Sequence, residues 1–130
     1  MRFLVAVDGS PQALGAVRKL IACALRWRST PEVHLLHVLE ARHDGRGADS
    51  EDGGVSQASE WLEGARLPLR VHALTGTAPE SIARTARELG CDMIWMGTRA
   101  DGGVHGRALG ATAARVLQLS DLPVVLVKEI

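Results

Sequence analysis

Residues 97–112, Gly-Thr-Arg-Ala-Asp-Gly-Gly-Val-His-Gly-Arg-Ala-Leu-Gly-Ala-Thr, hold the strongest candidate for chemistry in this 130-residue chain. Five glycines follow one short apolar run and precede one helical pattern. A strand–glycine loop–helix junction aims backbone N–H groups, and the positive end of a helix, at a phosphate. Glycines also serve plain loop geometry, so both readings stand at this point. Two familiar phosphate loops are excluded. A Walker loop needs Gly-Lys-Ser/Thr, and neither Lys19 nor Lys128 lies near a glycine loop. The dinucleotide fingerprint belongs after the first strand, where the chain reads only Val7-Asp8-Gly9-Ser10.

Other reactive side chains are scattered. His34, His37, His43, His72 and His105 show no metal-ligand spacing, and no metal site is expected. His34 and His37 read as sheet-surface residues. Cys23 and Cys91 form no CxxC pair and read as inert, part-buried thiols. Asp44, Asp49, Glu51 and Asp52 make an acidic stretch that reads as a solvated loop. Trp27, Trp61 and Trp95 fall on different elements, so no base-stacking platform is expected. Arg99 is either a phosphate partner or a solvated loop charge.

The elements that must position these groups alternate. Phe3 to Val7 is a continuous apolar run, as in a strand buried on both faces. Ser10 as N-cap and Pro11 at the first helical position start a helix that reaches about Arg26. Val33 to Leu39 is a second strand, and residues 41–56 read as a polar surface loop. A short helix follows from about Ser56 to Arg66, then a third strand from Leu69 to Leu74. Thr77 and Glu80 have capping-box spacing, and their helix stops at Gly90. Met93 to Met96 is a fourth strand. Arg107 to Leu119 is a fourth helix, with Leu109, Ala113, Val116 and Leu117 facing inward, and Val124 to Val127 is the last strand.

This alternation predicts an α/β fold, one domain over residues 1–130, with a parallel five-stranded sheet and helices on both faces. Ligands in such sheets bind beyond the carboxyl ends of the strands at the topological switch point. Those ends are Asp8, Val38 to Glu40, Thr75 to Gly76, and Gly97 onward. Fifteen basic residues balance fifteen acidic ones, which argues against a nucleic-acid binder or a polybasic membrane anchor. No apolar run approaches the roughly 20 residues that span a bilayer. The first ten residues read as a strand rather than a signal peptide, and a cytoplasmic, reducing setting is expected.

Three stretches carry a family resemblance: FLVAVDGS (3–10), LLHVLE (35–40), and PESIARTARELGCDMIWMGTRADGG (79–103) continued by LGATAARVLQLSDLPVVLVK (109–128). Together they resemble the universal stress protein family over nearly the whole chain, most weakly in residues 41–56. The resemblance implies an open parallel sheet in the order 3-2-1-4-5, an adenine nucleotide alpha hydrolase-like fold. It also implies ATP as ligand, with Mg2+ carried only on the nucleotide. Members that bind ATP have G-x2-G-x9-G-[S/T] between the fourth strand and the fourth helix. Gly97 and Gly110 match the first and last glycines, but Ala100 replaces the second and Ala111 the Ser/Thr. The contact set implied by resemblance is Ala6, Asp8, Val38, Met96, Gly97, Thr98, Arg99, Gly110, Ala111 and Thr112. Asp8 would lie against the nucleoside, and the Val38 backbone would meet the adenine. From the residue alone, Asp8 is equally a turn and helix cap, and Val38 is equally core.

The two departures can be sized. An alanine forced into left-handed backbone angles costs about 1–2 kcal/mol. A lost hydroxyl–phosphate hydrogen bond costs about 0.5–3 kcal/mol. The sum, about 1.5–5 kcal/mol, is one to three and a half decades of affinity. Thr112, or Gly102 and Gly103, would recover part of it. Two functions therefore compete: a nucleotide-binding regulatory module, and an interaction module of the same family whose nucleotide site has decayed. ATP hydrolysis ranks last, because no residue is an evident general base. A phospho-accepting receiver domain needs an aspartate where this chain has Leu74-Thr75-Gly76, and that reading fails. In the expected order the apolar strand Val124, Val125, Leu126 and Val127 lies at an edge, so a homodimer through it is expected, as in many relatives.

Overall fold

Phe3, Leu4 and Val5 are all buried to 1% or less, which is why the first strand shows no apolar–polar alternation: both of its faces are covered. The computed structural model describes residues 1–40, 52–98 and 110–128. Its elements are β1 (Arg2–Val7), α1 (Pro11–Ala24), β2 (Glu32–Leu39), α2 (Val55–Gly64), β3 (Leu69–Thr75), α3 (Ala78–Glu88), β4 (Met93–Thr98), α4 (Ala111–Leu119) and β5 (Val124–Lys128). The strands form one parallel sheet in the order β3-β2-β1-β4-β5, the order expected.

Two apolar layers sandwich the sheet. Phe3, Val5, Val7, Val33, Leu35 and Trp95 pack under α1 and α2. Leu4, Leu36, Ile94 and Met96 point the other way, under α3 and α4. Around Phe3 the rings of Trp27 and Trp95 gather, with centroids 5.3 and 5.9 Å away, so two tryptophans from different elements do meet. They meet as packing, and the buried Trp95 indole nitrogen has no hydrogen-bond partner. Arg18 of α1 lies over the Trp61 ring of α2, 5.4 Å from its centroid, and ties these helices together.

Three of the four described helix starts show a side chain meeting their first N–H groups. Ser10 caps α1, its Oγ accepting from the Ala13 N–H, with Pro11 at the first position. Asp52 reaches over the start of α2, one carboxylate oxygen accepting from the Gly54 N–H and the other from the Ser56 N–H. Thr77 sits at the N-cap of α3 but makes no side-chain cap bond, so the expected capping box does not form. Its place is taken by Glu40 from the end of β2, whose Oε1 accepts from the Ala78 N–H at 2.6 Å. Glu80 turns instead toward Arg115 of α4. At α4, Gly110 is the N-cap and no side chain caps the helix among the described residues.

Several local expectations shift. α1 ends at Ala24, short of Arg26, and residues 52–56 belong to the cap and first turn of α2 rather than to a loop. His34 and His37 are buried, at 4% and 5% exposure, one on each face of the sheet, because β2 is an interior strand covered on both sides. Leu117 is 43% exposed although Ala113 and Val116 face inward, since a nine-residue helix buries only a narrow stripe. α4 begins at Ala111, later than the expected Arg107, because Gly110 is extended as its N-cap, and the expected inward Leu109 lies outside the described residues.

Gly97 has a packing reason for being glycine. A Cβ there would come within 2.6 Å of the Ala13 nitrogen, and closer still to the Gln12 carbonyl. The first turn of α1 thus lies directly on the backbone of β4. At the opposite end of the sheet, burial pushes the Cys91 thiol up to about 11, which keeps it protonated at neutral pH.

Two outcomes follow. Gly97→Ala forces the α1 backbone off β4 and destabilises the protein by about 1–3 kcal/mol in urea unfolding, whereas an unchanged midpoint contradicts the close approach. At pH 8 only about one Cys91 thiol in a thousand is ionised. Mass spectrometry should then find Cys91 unmodified by iodoacetamide in the folded protein and modified in urea.

Candidate functional site

Because all five strands run parallel, their carboxyl ends share one edge. The register pairs Val7 with His37, so Asp8 and Val38 follow side by side, and β4 flanks β1 on the other side. α1 and α2 cover one face and α3 and α4 the other, so the chain changes faces between β1 and β4. That is the topological switch point, where an open α/β sheet leaves a crevice.

The residues singled out from the sequence divide into three groups. Ala6, Val38 and Met96 share the α3/α4 face and pack on its apolar layer, with Met96 buried and the other two half-buried. Asp8 is exposed at the end of β1, and its Oδ1 accepts the Ser10 N–H at 2.9 Å. That bond is the turn role open to an aspartate there, and it fixes the carboxylate at the mouth of the crevice. Gly97 and Thr98 end β4; Thr98 is buried, and its hydroxyl faces the Val127 carbonyl at 3.5 Å. Gly110, Ala111 and Thr112 open α4, with Gly110 buried and the other two exposed. Arg99 and Ala100 lie outside the described residues.

The structure adds groups that local sequence patterns do not reveal. Glu40 links the end of β2, two residues beyond Val38, to the start of α3, and its partner Ala78 is 38 residues away in sequence. Gly53 takes a positive φ of 59° and lies against the His37 ring, where any Cβ would collide with the imidazole. Gly54 in turn lies beside Gly9 and Leu14. The segment entering α2 therefore closes the α1 side of the same edge. Among the described residues no group of histidines, cysteines and carboxylates could hold a metal ion. No described helix is long and apolar enough to cross a membrane.

Among the described residues, the groups with displaced pKa values are Glu32 and Cys91 at the amino end of the sheet and His72 midway along β3. Hydrogen bonding to His34 chiefly, with help from Arg2, holds the Glu32 carboxyl below its usual range. Burial chiefly, then the charges of His34 and Arg70, lowers His72. Among the described residues, the carboxyl edge is thus shaped by backbone and apolar groups with two carboxylates, Asp8 and Glu40.

Comparison with known proteins bears on this edge. Residues 1–128 match the sequence model of the universal stress protein family. The universal stress protein Slr1230 of Synechocystis is 26% identical over 124 residues, which is 95% of this chain and 41% of that protein. This chain therefore spans less than half the length of that relative. The crystal structure of a universal stress protein in complex with cAMP is 19% identical, with a TM-score of 0.74 over 98% of this chain and 95% of the other. At3g01520, a universal stress protein family protein of Arabidopsis thaliana with AMP bound, is 16% identical, with a TM-score of 0.75 over 100% of this chain and 92% of the other. At such identities the two structures speak for the fold, while the match along residues 1–128 speaks for descent. The chain belongs to the universal stress protein family.

Proposed function

We propose that this universal stress protein binds an adenine nucleotide across the carboxyl edge of its sheet. The observation that carries the reading is the contrast among helix starts. Ser10, Asp52 and Glu40 supply oxygen atoms to the N-termini of α1, α2 and α3, while α4 has no side-chain cap among the described residues. Its first-turn N–H groups and positive end lie beside the switch point, where a phosphate would meet them. In this reading the Val38 backbone meets the adenine, Ala6 and Met96 form an apolar floor, and Asp8 lies against the nucleoside. Gly97, Thr98, Arg99, Gly110, Ala111 and Thr112 surround the phosphates. The cAMP and AMP complexes of fold relatives support adenine as the base. ATP, with Mg2+ carried on its phosphates, is the finer proposal, and it rests on the glycine pattern. A cytoplasmic setting fits the two free thiols, Cys23 and Cys91.

Ala100 and Ala111 favour the competing reading, an interaction module whose site has decayed. Titration calorimetry separates the two. Ala100→Gly combined with Ala111→Ser should tighten ATP by about tenfold or more over the wild type. Equal affinities would show that the alanines are not the defect, and no binding by either protein would sink the nucleotide reading.

We further propose a two-fold homodimer through β5. Val124, Val125, Leu126 and Val127 are each only half-buried within one chain, and β5 is an edge strand. An apolar edge with unpaired backbone groups invites a second strand, and an antiparallel copy of itself satisfies both partners alike. Val125→Lys should then yield a monomer in sedimentation velocity, with the wild type a dimer. A wild type that sediments as a monomer at tens of micromolar overturns the dimer.

A further inference from the structure

A chain of polar groups runs from the amino end of the sheet to the middle of β3. His34 Nδ1 lies 2.9 Å from His72 Nε2, and the two rings are only 25° from coplanar with centroids 5.1 Å apart, so they meet at their nitrogen edges. The other ring nitrogen of His34 lies 3.2 Å from Glu32 Oε2, and the same oxygen pairs with Arg2 Nε at 2.7 Å. The Arg2 guanidinium also donates to the Leu89 carbonyl at the end of α3, and the Arg2 backbone N–H donates to Asp92. His34 is buried on interior strand β2, whereas His72 is half-buried on edge strand β3. No residue of β3 is fully buried.

We propose that the His34–His72 pair is a proton-operated latch that holds the edge strand β3 on β2. With no added proton, one ring's N–H points at the other's lone pair. With one added proton this remains true whichever ring carries it, and Glu32 stabilises the charge from the His34 side. A second proton, taken from water, consumes the remaining lone pair. Two N–H groups then face each other, two like charges adjoin, and the bond is lost. His72, on the less buried strand, is the ring that leaves.

The surroundings fit this assignment. Facing the pair are Glu32 from β2, Arg2 from β1 and Arg70 from β3; Asp92 and Cys91, at the entry to β4, lie beside Arg2. On α3, which covers this face of the sheet, Ser81 and Thr85 are buried and uncharged, while Arg84 and Glu88 pair with each other on its exposed face and Arg87 is exposed. The lowered pKa of His72 sets the direction of the pH effect. The folded state resists the proton that an unfolded chain accepts near pH 6.5, at about the ordinary histidine value. Stability is therefore full above that pH and declines as pH falls through the folded value. Glu32 is held below its usual range by His34 and Arg2, so it keeps its charge in mild acid.

Amide hydrogen exchange between pH 7.5 and 5.0, corrected for intrinsic rates, tests the latch. Opening of the β3 amides relative to those of β1 should rise at least tenfold, and His72→Gln, which keeps a donor for His34 without a titrating proton, should abolish the rise. In parallel, ring-nitrogen NMR of the wild type should show the pair titrating in two separated steps. Parallel behaviour of β3 and β1, a rise that survives His72→Gln, or two rings that titrate together at the ordinary histidine value would each overturn the proposal.

Discussion

The rest of the molecule depends on the contact between Gly97 and the first turn of α1. Backbone meets backbone there, with no room for a single carbon between them. Protein interiors adjust poorly to added volume, so this contact sets the height of α1 above the sheet. That height places Ser10 and the Asp8 turn at the mouth of the crevice, and brings α1 within reach of Phe3, Trp95 and the valines of β5. A glycine first read as part of a phosphate loop is thus already required by the scaffold. Packing alone makes this demand, and the proposed nucleotide would make the same one of the same position.

Most of the architecture was legible in the sequence because it follows from short-range chemistry. Apolar runs at Phe3 to Val7 and Val33 to Leu39 specify strands covered on both sides, and Ser10-Pro11 and Gly90 mark helix ends by backbone requirements that few residues meet. What escaped were arrangements that tertiary contacts create. The capping box that Thr77 and Glu80 suggested does not form: a carboxylate brought in by β2 meets the start of α3 at the Ala78 N–H, and Glu80 turns to Arg115. The histidines of β2 looked superficial as polar residues, yet an interior strand has no solvent face, and His34 solves this with His72 and Glu32. Of the site, the strand ends could be placed from sequence alone. The identities of its contact residues came from likeness to a family, and the geometry gathers the described ones at one edge without itself assigning a ligand.

The two ends of the sheet have opposite characters. At the carboxyl edge, backbone groups and apolar side chains dominate, with Asp8 and Glu40 both engaged by backbone N–H groups. From the amino edge to the middle of β3, Arg2, Glu32, His34, His72 and Asp92 form a continuous polar network in which nearly every charge has a partner. Buried polar groups hold a structure rigidly when satisfied and weaken it when one partner changes state. The proposed latch belongs to the polar network and the proposed nucleotide to the carboxyl edge.

The strand order has a kinetic side. β1 pairs with β2 across about thirty residues but with β4 across ninety, as the Arg2–Asp92 bond shows. Tripling the loop raises the entropic cost of closure by only about 1 kcal/mol, yet non-local pairing of this kind slows folding far more than it weakens the fold. β1 and β2, with α1 between them, are joined by local pairing, whereas the β1–β4 seam must wait for the distant part of the chain. The crevice at the switch point lies along that same seam. A ligand that grips both sides of it binds only a chain whose most distant pairing is complete, and so reports that folding has finished.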